Sequence, residues 1–286
     1  MIMHKLFLPL FLVGLSASAG LSAKITPVAS MKEIETEVYK VLKSEKPENI
    51  LVVFDVTMTL IQPDVAATWV PNIEQHNIFF KNLVSSLSCE QRDIMVTLGM
   101  KSTPQRLVEG QVPKTIASFA AKKIPMLALT SSLSGAVGDV KAMEDWYYET
   151  LHHFDIDFSK SFVKDRRIVF SDCRRYRDNF PVYEHGILLS NKENKVDVFL
   201  SFLAYVNAHP RYIIFVDSNE ENLSRAEGVL RQMDSSINFL GFCYTAGVKF
   251  APEPIDDESF MAFWSTLANR AEGLCPIEPL PPSMVK

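Results

Sequence analysis

Cysteine is scarce, four residues in 286, so no disulfide scaffold can hold the chain together and stability must come from a buried core. Cys89, Cys173, Cys243 and Cys275 form no Cys-x-x-Cys pair, and their wide spacing argues against a zinc site. Eleven Gly and 16 Pro exclude a collagen-like or low-complexity chain. Basic residues are not in excess either. The 29 Lys and Arg stand against 34 Asp and Glu, a net charge of -5 that supplies no drive toward nucleic acid or anionic lipid. The chain has no Gly-x-x-x-x-Gly-Lys phosphate loop, no Gly-x-Ser-x-Gly elbow and no Gly-x-Gly-x-x-Gly dinucleotide motif. Apolar residues make up 47% and charged residues 22%, which suits one large domain, or a core with a small accessory unit, and excludes disorder over most of the length.

The N-terminus reads as a signal peptide over residues 1–23. A short basic start at residues 1–5 is followed by a nearly continuous apolar stretch, Leu6 to Leu15, and then by small residues that suit cleavage after Ala19 or Ala23. The apolar stretch is too short for a bilayer, which needs about 20 residues. The expectation is an exported protein, periplasmic or secreted, with no stable membrane span after cleavage. In an oxidising compartment the four cysteines have three full pairings open to them, and spacing does not choose among them.

Beyond the leader, residues 24–275 alternate between two periodicities. Short runs of branched apolar residues end on polar ones: residues 50–55 end on Asp55, residues 126–130 on Thr130, residues 212–217 on Asp217, with a fourth run at 237–242. Helical spacing separates them, as in Met31, Ile34, Val38, Val41 and Leu42, or in residues 194–208 and 222–233. This predicts an α/β, Rossmann-like fold, a mostly parallel sheet covered on both faces, with ligands at the C-terminal ends of the strands. Two stretches fit poorly and read as insertions: residues 62–111, helix-leaning with a capping box at Ser88 and Gln91, and residues 131–191, where 167–170 and 186–189 read as a β pair. Residues 276–286 hold four prolines and read as an extended tail.

The polar residues that interrupt these strands carry the chemistry. Asp55, Val56, Thr57, Met58 and Thr59 follow the first strand, Thr130 and Ser131 the second, Lys192 or Lys195 opens a helix, and Asp217 ends a third strand with Glu221 four residues on. Order and placement resemble the haloacid dehalogenase (HAD) superfamily, whose motifs are Asp-x-Asp-x-Thr at a strand end, a Ser or Thr, a Lys, and an acidic pair. The likeness spans residues 48 to 245. Residues 154–159, 183–191 and 194–195 look more narrowly like an uncharacterised branch of secreted bacterial HAD-like proteins.

The resemblance implies a Mg²⁺-dependent phosphohydrolase or phosphotransferase with a small helical cap, acting on a small phosphorylated substrate. Asp55 would be the nucleophile that forms an aspartyl phosphate. Thr130 and Lys195 would hold the phosphoryl oxygens. The metal would sit against Asp55, the carbonyl of Thr57, Asp217 and Glu221. Thr57 stands where HAD phosphatases generally carry an acid/base Asp, and P-type ATPases also carry Thr there. A hydroxyl is a poor general acid at neutral pH, so hydrolysis is expected to be slow. The rival expectation is a non-catalytic anion-binding or host-interaction protein, with a protein partner, on the same fold. On a plainer reading, Asp55 and Asp217 cap the turns that follow their strands, Glu221 is an exposed helix charge, and Trp146, Tyr147 and Tyr148 are cap or core packing.

Overall fold

The computed structural model describes residues 24–164, 166–248 and 253–274. The expected signal peptide, the Pro-rich tail and Cys275 lie outside them. The chain begins with strand β1 (Lys24–Val28) and helix α1 (Met31–Leu42), then enters β2 (Ile50–Asp55). A helical excursion follows: β3 (Ile61–Pro63), α2 (Val70–Gln75), α3 (Asn77–Ser86), α4 (Cys89–Lys101) and β4 (Gln105–Leu107), the two strands pairing antiparallel. Helix α5 (Val112–Ala121) leads back to the sheet at β5 (Met126–Thr130), and α6 (Met143–His153) precedes the short strands β6 (Ile168–Val169), β7 (Val182–Glu184) and β8 (Ile187–Leu189). The chain closes with α7 (Lys195–Tyr205), β9 (Tyr212–Asp217), α8 (Glu220–Met233), β10 (Asn238–Tyr244) and α9 (Asp257–Leu274).

The large sheet runs in the order β1-β10-β9-β2-β5-β8-β7-β6. All pairings from β1 to β8 are parallel, and β7 and β6 add an antiparallel margin. This is the mostly parallel, Rossmann-like sheet expected from the alternation of runs. In β2 every residue is buried. Ile50, Val52 and Phe54 join the core on one face, and Leu51 and Val53 join the core on the other, the period of two that a pleated strand imposes. Helices α1, α4, α5, α6 and α9 close the first face, and α7 and α8 the second.

Residues 167–170 and 186–189 are not partners, contrary to the expected β pair. Strand β6 pairs with β7, and β7 turns back on β8. The turn decides this: His185 and Gly186 have φ of 53° and 80°, the type I′ conformation whose twist matches a hairpin. A Cβ on Gly186 would come 2.3 Å from the carbonyl oxygen of Phe158. Gly186→Ala should therefore lower the unfolding free energy by about 1–3 kcal/mol, read from denaturant midpoints. Strand β1 has no counterpart in the sequence pattern. It is an edge strand containing Pro27, held by pairing to β10 rather than by an apolar run of its own.

Strand β2 lies at the point where connections reverse direction. From β2 the chain moves through β5 to β8 on one side, then returns to β9 and β10 on the other. In open parallel sheets the crevice for a ligand opens outside the carboxyl ends of strands at such a reversal. Helix α4 stands at that edge. It starts at a reciprocal capping box between Ser88 and Gln91 and packs against α9, where Gly99 lets Trp264 approach closely.

Candidate active site

Strand register brings the first two side chains together. The last β2–β9 pair is Phe54 with Val216, so Asp55 and Asp217 emerge side by side one residue later. Asp55 pairs with Leu129 of β5, which places Thr130 at the adjacent strand end. Beyond Asp55 the chain closes a tight turn in which the Val56 carbonyl accepts the N–H groups of Leu60 at 2.8 Å and Ile61 at 3.2 Å. Met58 adopts a left-handed φ of 66° there. The turn aims Thr59 back at the strand end, and its hydroxyl donates to Asp55 Oδ2 at 2.9 Å.

Lys195 is the first residue of α7, whose N-terminus is capped by the Asn194 side chain accepting from Val196 N–H at 2.9 Å. Its ammonium donates to Asp55 Oδ1 at 2.6 Å and to Asp217 Oδ2 at 2.8 Å. All three groups are buried. Asp217 also accepts from Asn219 N–H at 2.9 Å and from Asn222 Nδ2, which reaches both carboxylate oxygens at 3.2 and 3.1 Å. Burial pushes the Asp55 carboxyl up to about 6; Lys195 opposes that rise and Asp217 adds to it. Burial alone would pull the Lys195 ammonium down, but Asp55 and Asp217 outweigh it and hold it above its ordinary value.

Thr130 is buried, and its hydroxyl accepts from Ser132 N–H at 3.3 Å. Tyr147, from α6, lines the same space as Ser132, Thr130 and Thr57, and burial pushes its ionisation upward. These hydroxyls border a cavity of about 260 Å³, closed on another side by Val96, Thr97 and Met100 of α4. A larger cavity of about 640 Å³, beside Lys123, Lys160 and Lys164, lies at the N-terminal end of β5. That is the opposite edge of the sheet from the carboxylates, so the smaller one is the candidate site.

A family model described as a protein of unknown function, DUF2608, matches residues 27–270, most of the chain. The chain belongs to the DUF2608 family. It is similar to uncharacterised proteins of Rickettsia felis (28% identical, covering 91% of this chain and 88% of that one), Rickettsia typhi (28%, 84% and 81%) and Rickettsia bellii (27%, 71% and 70%). No solved structure matches.

In this DUF2608 chain, Asp55, Lys195 and Asp217 meet in one buried cluster, with Thr130 and Thr57 at the cavity beside it. Of the two lysines, Lys195 enters the cluster, while Lys192 lines the cavity and pairs with Asp93 of α4. Glu221 is exposed in the first turn of α8, where its N–H is capped by Asn219 and its charge complements the helix N-terminus. Asn222, one residue further, is the α8 side chain that reaches Asp217. Among the described residues no group of three or more His, Cys, Asp and Glu converges as a metal cluster, and no helix is long and apolar enough to cross a membrane. The sequence pattern assigns Asn222 no site role, and it reads Tyr147 as cap or core packing rather than as part of the site. A polar residue one helical turn beyond a strand-end Asp could have indicated the first. Nothing local marks the second, because Tyr147 sits between two other aromatic residues in a helix.

Proposed function

We propose that this chain is a HAD-like phosphohydrolase or phosphotransferase that works through an aspartyl phosphate at Asp55. The observation that carries the reading is the buried Asp55–Lys195–Asp217 cluster at the C-terminal edge of the reversal strand, beside a cavity lined by strand-end hydroxyls. Asp55 attacks phosphorus, the bond from phosphorus to the leaving oxygen breaks, and water later cleaves the acyl phosphate. Lys195 offsets charge on the transferring group and keeps Asp55 available as a carboxylate despite burial. Thr130 offers a hydroxyl to a non-bridging oxygen.

Mg²⁺ fits the donor set in kind. Two carboxylates, Asp55 and Asp217, and the Thr57 carbonyl are hard oxygen ligands, and Mg²⁺ usually takes one or two carboxylates with water and phosphate oxygens completing the shell. The Thr57 carbonyl takes no part in the small bridge of this turn, which is made by the Val56 carbonyl and the Met58 N–H with Ile61. When bound, the ion would supply neutralisation of the phosphoryl oxygens. Glu221 is not part of the proposed set, since its side chain is exposed on α8.

Thr57 offers no carboxylic acid to the leaving oxygen, a contribution worth roughly 10² to 10⁴ in rate where it exists. Turnover should accordingly be slow and should favour substrates whose leaving group needs no proton. Beryllium fluoride with Mg²⁺ tests the reading: the wild type is expected to trap the phosphate mimic at Asp55, seen by fluorine NMR. Absence of both trapping and turnover across a panel of phosphate esters would instead support the non-catalytic anion-binding reading. The export expectation is checked by sequencing the N-terminus of the mature protein; Met1 still attached would overturn it.

A further inference from the structure

Lys192 occupies an unusual place. It follows β8, and both it and Asn191 have left-handed backbones, with φ of 68° and 50°. Each such residue costs on the order of 1–3 kcal/mol and persists only where surrounding contacts enforce it. Asn191 provides those contacts. Its Nδ2 donates to the carbonyls of Asn179 at 2.7 Å and Tyr176 at 3.3 Å, and its Oδ1 accepts from Ser134 N–H at 3.2 Å. The loop is pinned, and it presents Lys192 to the cavity.

There the Lys192 ammonium meets Asp93 Oδ1 of α4 at 2.9 Å, with the lysine side chain 50% exposed and the aspartate 7%. Asp93 does not depend on this contact. Its other oxygen accepts from the Tyr176 hydroxyl at 2.7 Å and from Arg177 Nη2 at 3.3 Å. If Lys192 swings away, the buried carboxylate keeps a cation and a hydroxyl and is not stranded without a partner. Lys192 is therefore the exchangeable member of the cluster, and among the described residues it is the one cation in the cavity wall.

We propose that the site selects a compact phosphomonoester whose non-transferred half carries a second anionic group, a carboxylate or another phosphate, and that Lys192 binds that group. This inference rests on the phosphoryl-transfer reading of Asp55. Two features define the ligand. The cavity, about 260 Å³, lies just below the roughly 300–1,000 Å³ usual for drug-sized ligands, which favours a compact substrate. Hydroxyls of Thr57, Thr130, Ser132 and Tyr147 suit the neutral and phosphoryl oxygens, which leaves Lys192 as the group matched to a second charge.

The test compares three probes of similar size, ethyl phosphate, phosphoglycolate and 1,2-ethanediol bisphosphate, by calorimetric Kd with Mg²⁺ present, since all three leave as alkoxides that need the proton Thr57 does not supply. The wild type should favour at least one of the two doubly anionic probes over ethyl phosphate by about tenfold or more, the range of a charge-assisted contact. Which of the two is favoured tells carboxylate from phosphate. Lys192→Met should collapse the ratio, and Lys192→Arg, which keeps the charge, should retain most of it; melting curves establish that both variants are folded. Equal treatment of all three probes by the wild type, or a ratio that survives in Lys192→Met, overturns the proposal while leaving phosphoryl transfer standing. If no probe is bound, the Lys192 proposal fails, and if beryllium fluoride is not trapped either, the reading of the Asp55 site fails with it.

Discussion

Lys195→Met is expected to lower the unfolding free energy by about 3–5 kcal/mol at pH 8, the usual consequence of removing one partner from a buried ion cluster. Lys195 supplies 2.6 and 2.8 Å contacts to Asp55 and Asp217, and both carboxylates are buried. Without it, two like charges face one another, and among the described residues Thr59, Asn219 and Asn222 are left to hydrogen-bond them. The cheapest response is to keep a proton on Asp55, whose pKa then climbs further because its main opposing influence has gone. A carboxyl that binds its proton more tightly when folded contributes stability at low pH and loses it as pH rises through the folded pKa. The variant should therefore lose stability more steeply than the wild type between pH 5 and pH 8, the pH range for the denaturation series. Phosphoryl transfer should be lost throughout. Wild-type stability at pH 8 would show that the cluster is not the buried, mutually dependent unit described above.

Asp55→Asn has the opposite signature. Removing the nucleophile should cut turnover by about 10⁴-fold or more and abolish beryllium fluoride trapping, since a group acting in a catalytic unit takes nearly the whole rate with it. The fold should persist, because Asn is nearly isosteric and Lys195 retains Asp217. The pH dependence separates this from a merely disturbed site. In the wild type the Asp55 pKa is raised by burial from 3.8 to about 6. Its stability contribution is thus full below 3.8 and is lost as pH rises toward and through about 6. Asn carries no titrating proton, so the difference in unfolding free energy between wild type and variant should shift in favour of Asn across that window and level off above it. Taking the difference removes the opposing slope from carboxylates such as Glu35, whose pKa is lowered by Lys32. A difference that stays constant from pH 4 to pH 7 would mean that Asp55 titrates in the folded protein as it does in the unfolded chain.

The parts of the site that were legible in the sequence sit where a periodic pattern stops. Asp55, Thr130 and Asp217 each end a run of buried apolar residues, and a polar residue in that position is exposed to notice by its contrast with the run. Lys195 was harder to separate from Lys192, because both lie within four residues at a helix start and only the direction of α7 turns one inward. Glu221 and Asn222 show the same limit. Spacing alone favours an acidic pair, yet the helical step of about 100° per residue carries Glu221 outward and leaves the amide of Asn222 facing Asp217. Tyr147 and Asp93 gave no local signal, since their partners are far along the chain: Tyr176 is 83 residues from Asp93.

What the sequence by itself determined is the α/β class, the central buried strands and the residues at their carboxyl ends, because alternation and apolar runs are short-range properties readable within a window of ten residues. What only the tertiary structure decided is the pairing of β7 with β6 and β8, the placing of α4 beside the strand ends, and the choice of Lys195 and Asn222 over Lys192 and Glu221 as partners of Asp217. Those outcomes depend on register between distant segments and on helix rotation about its own axis. Packing of the two cores against the sheet sets both, and no stretch of chain encodes either alone.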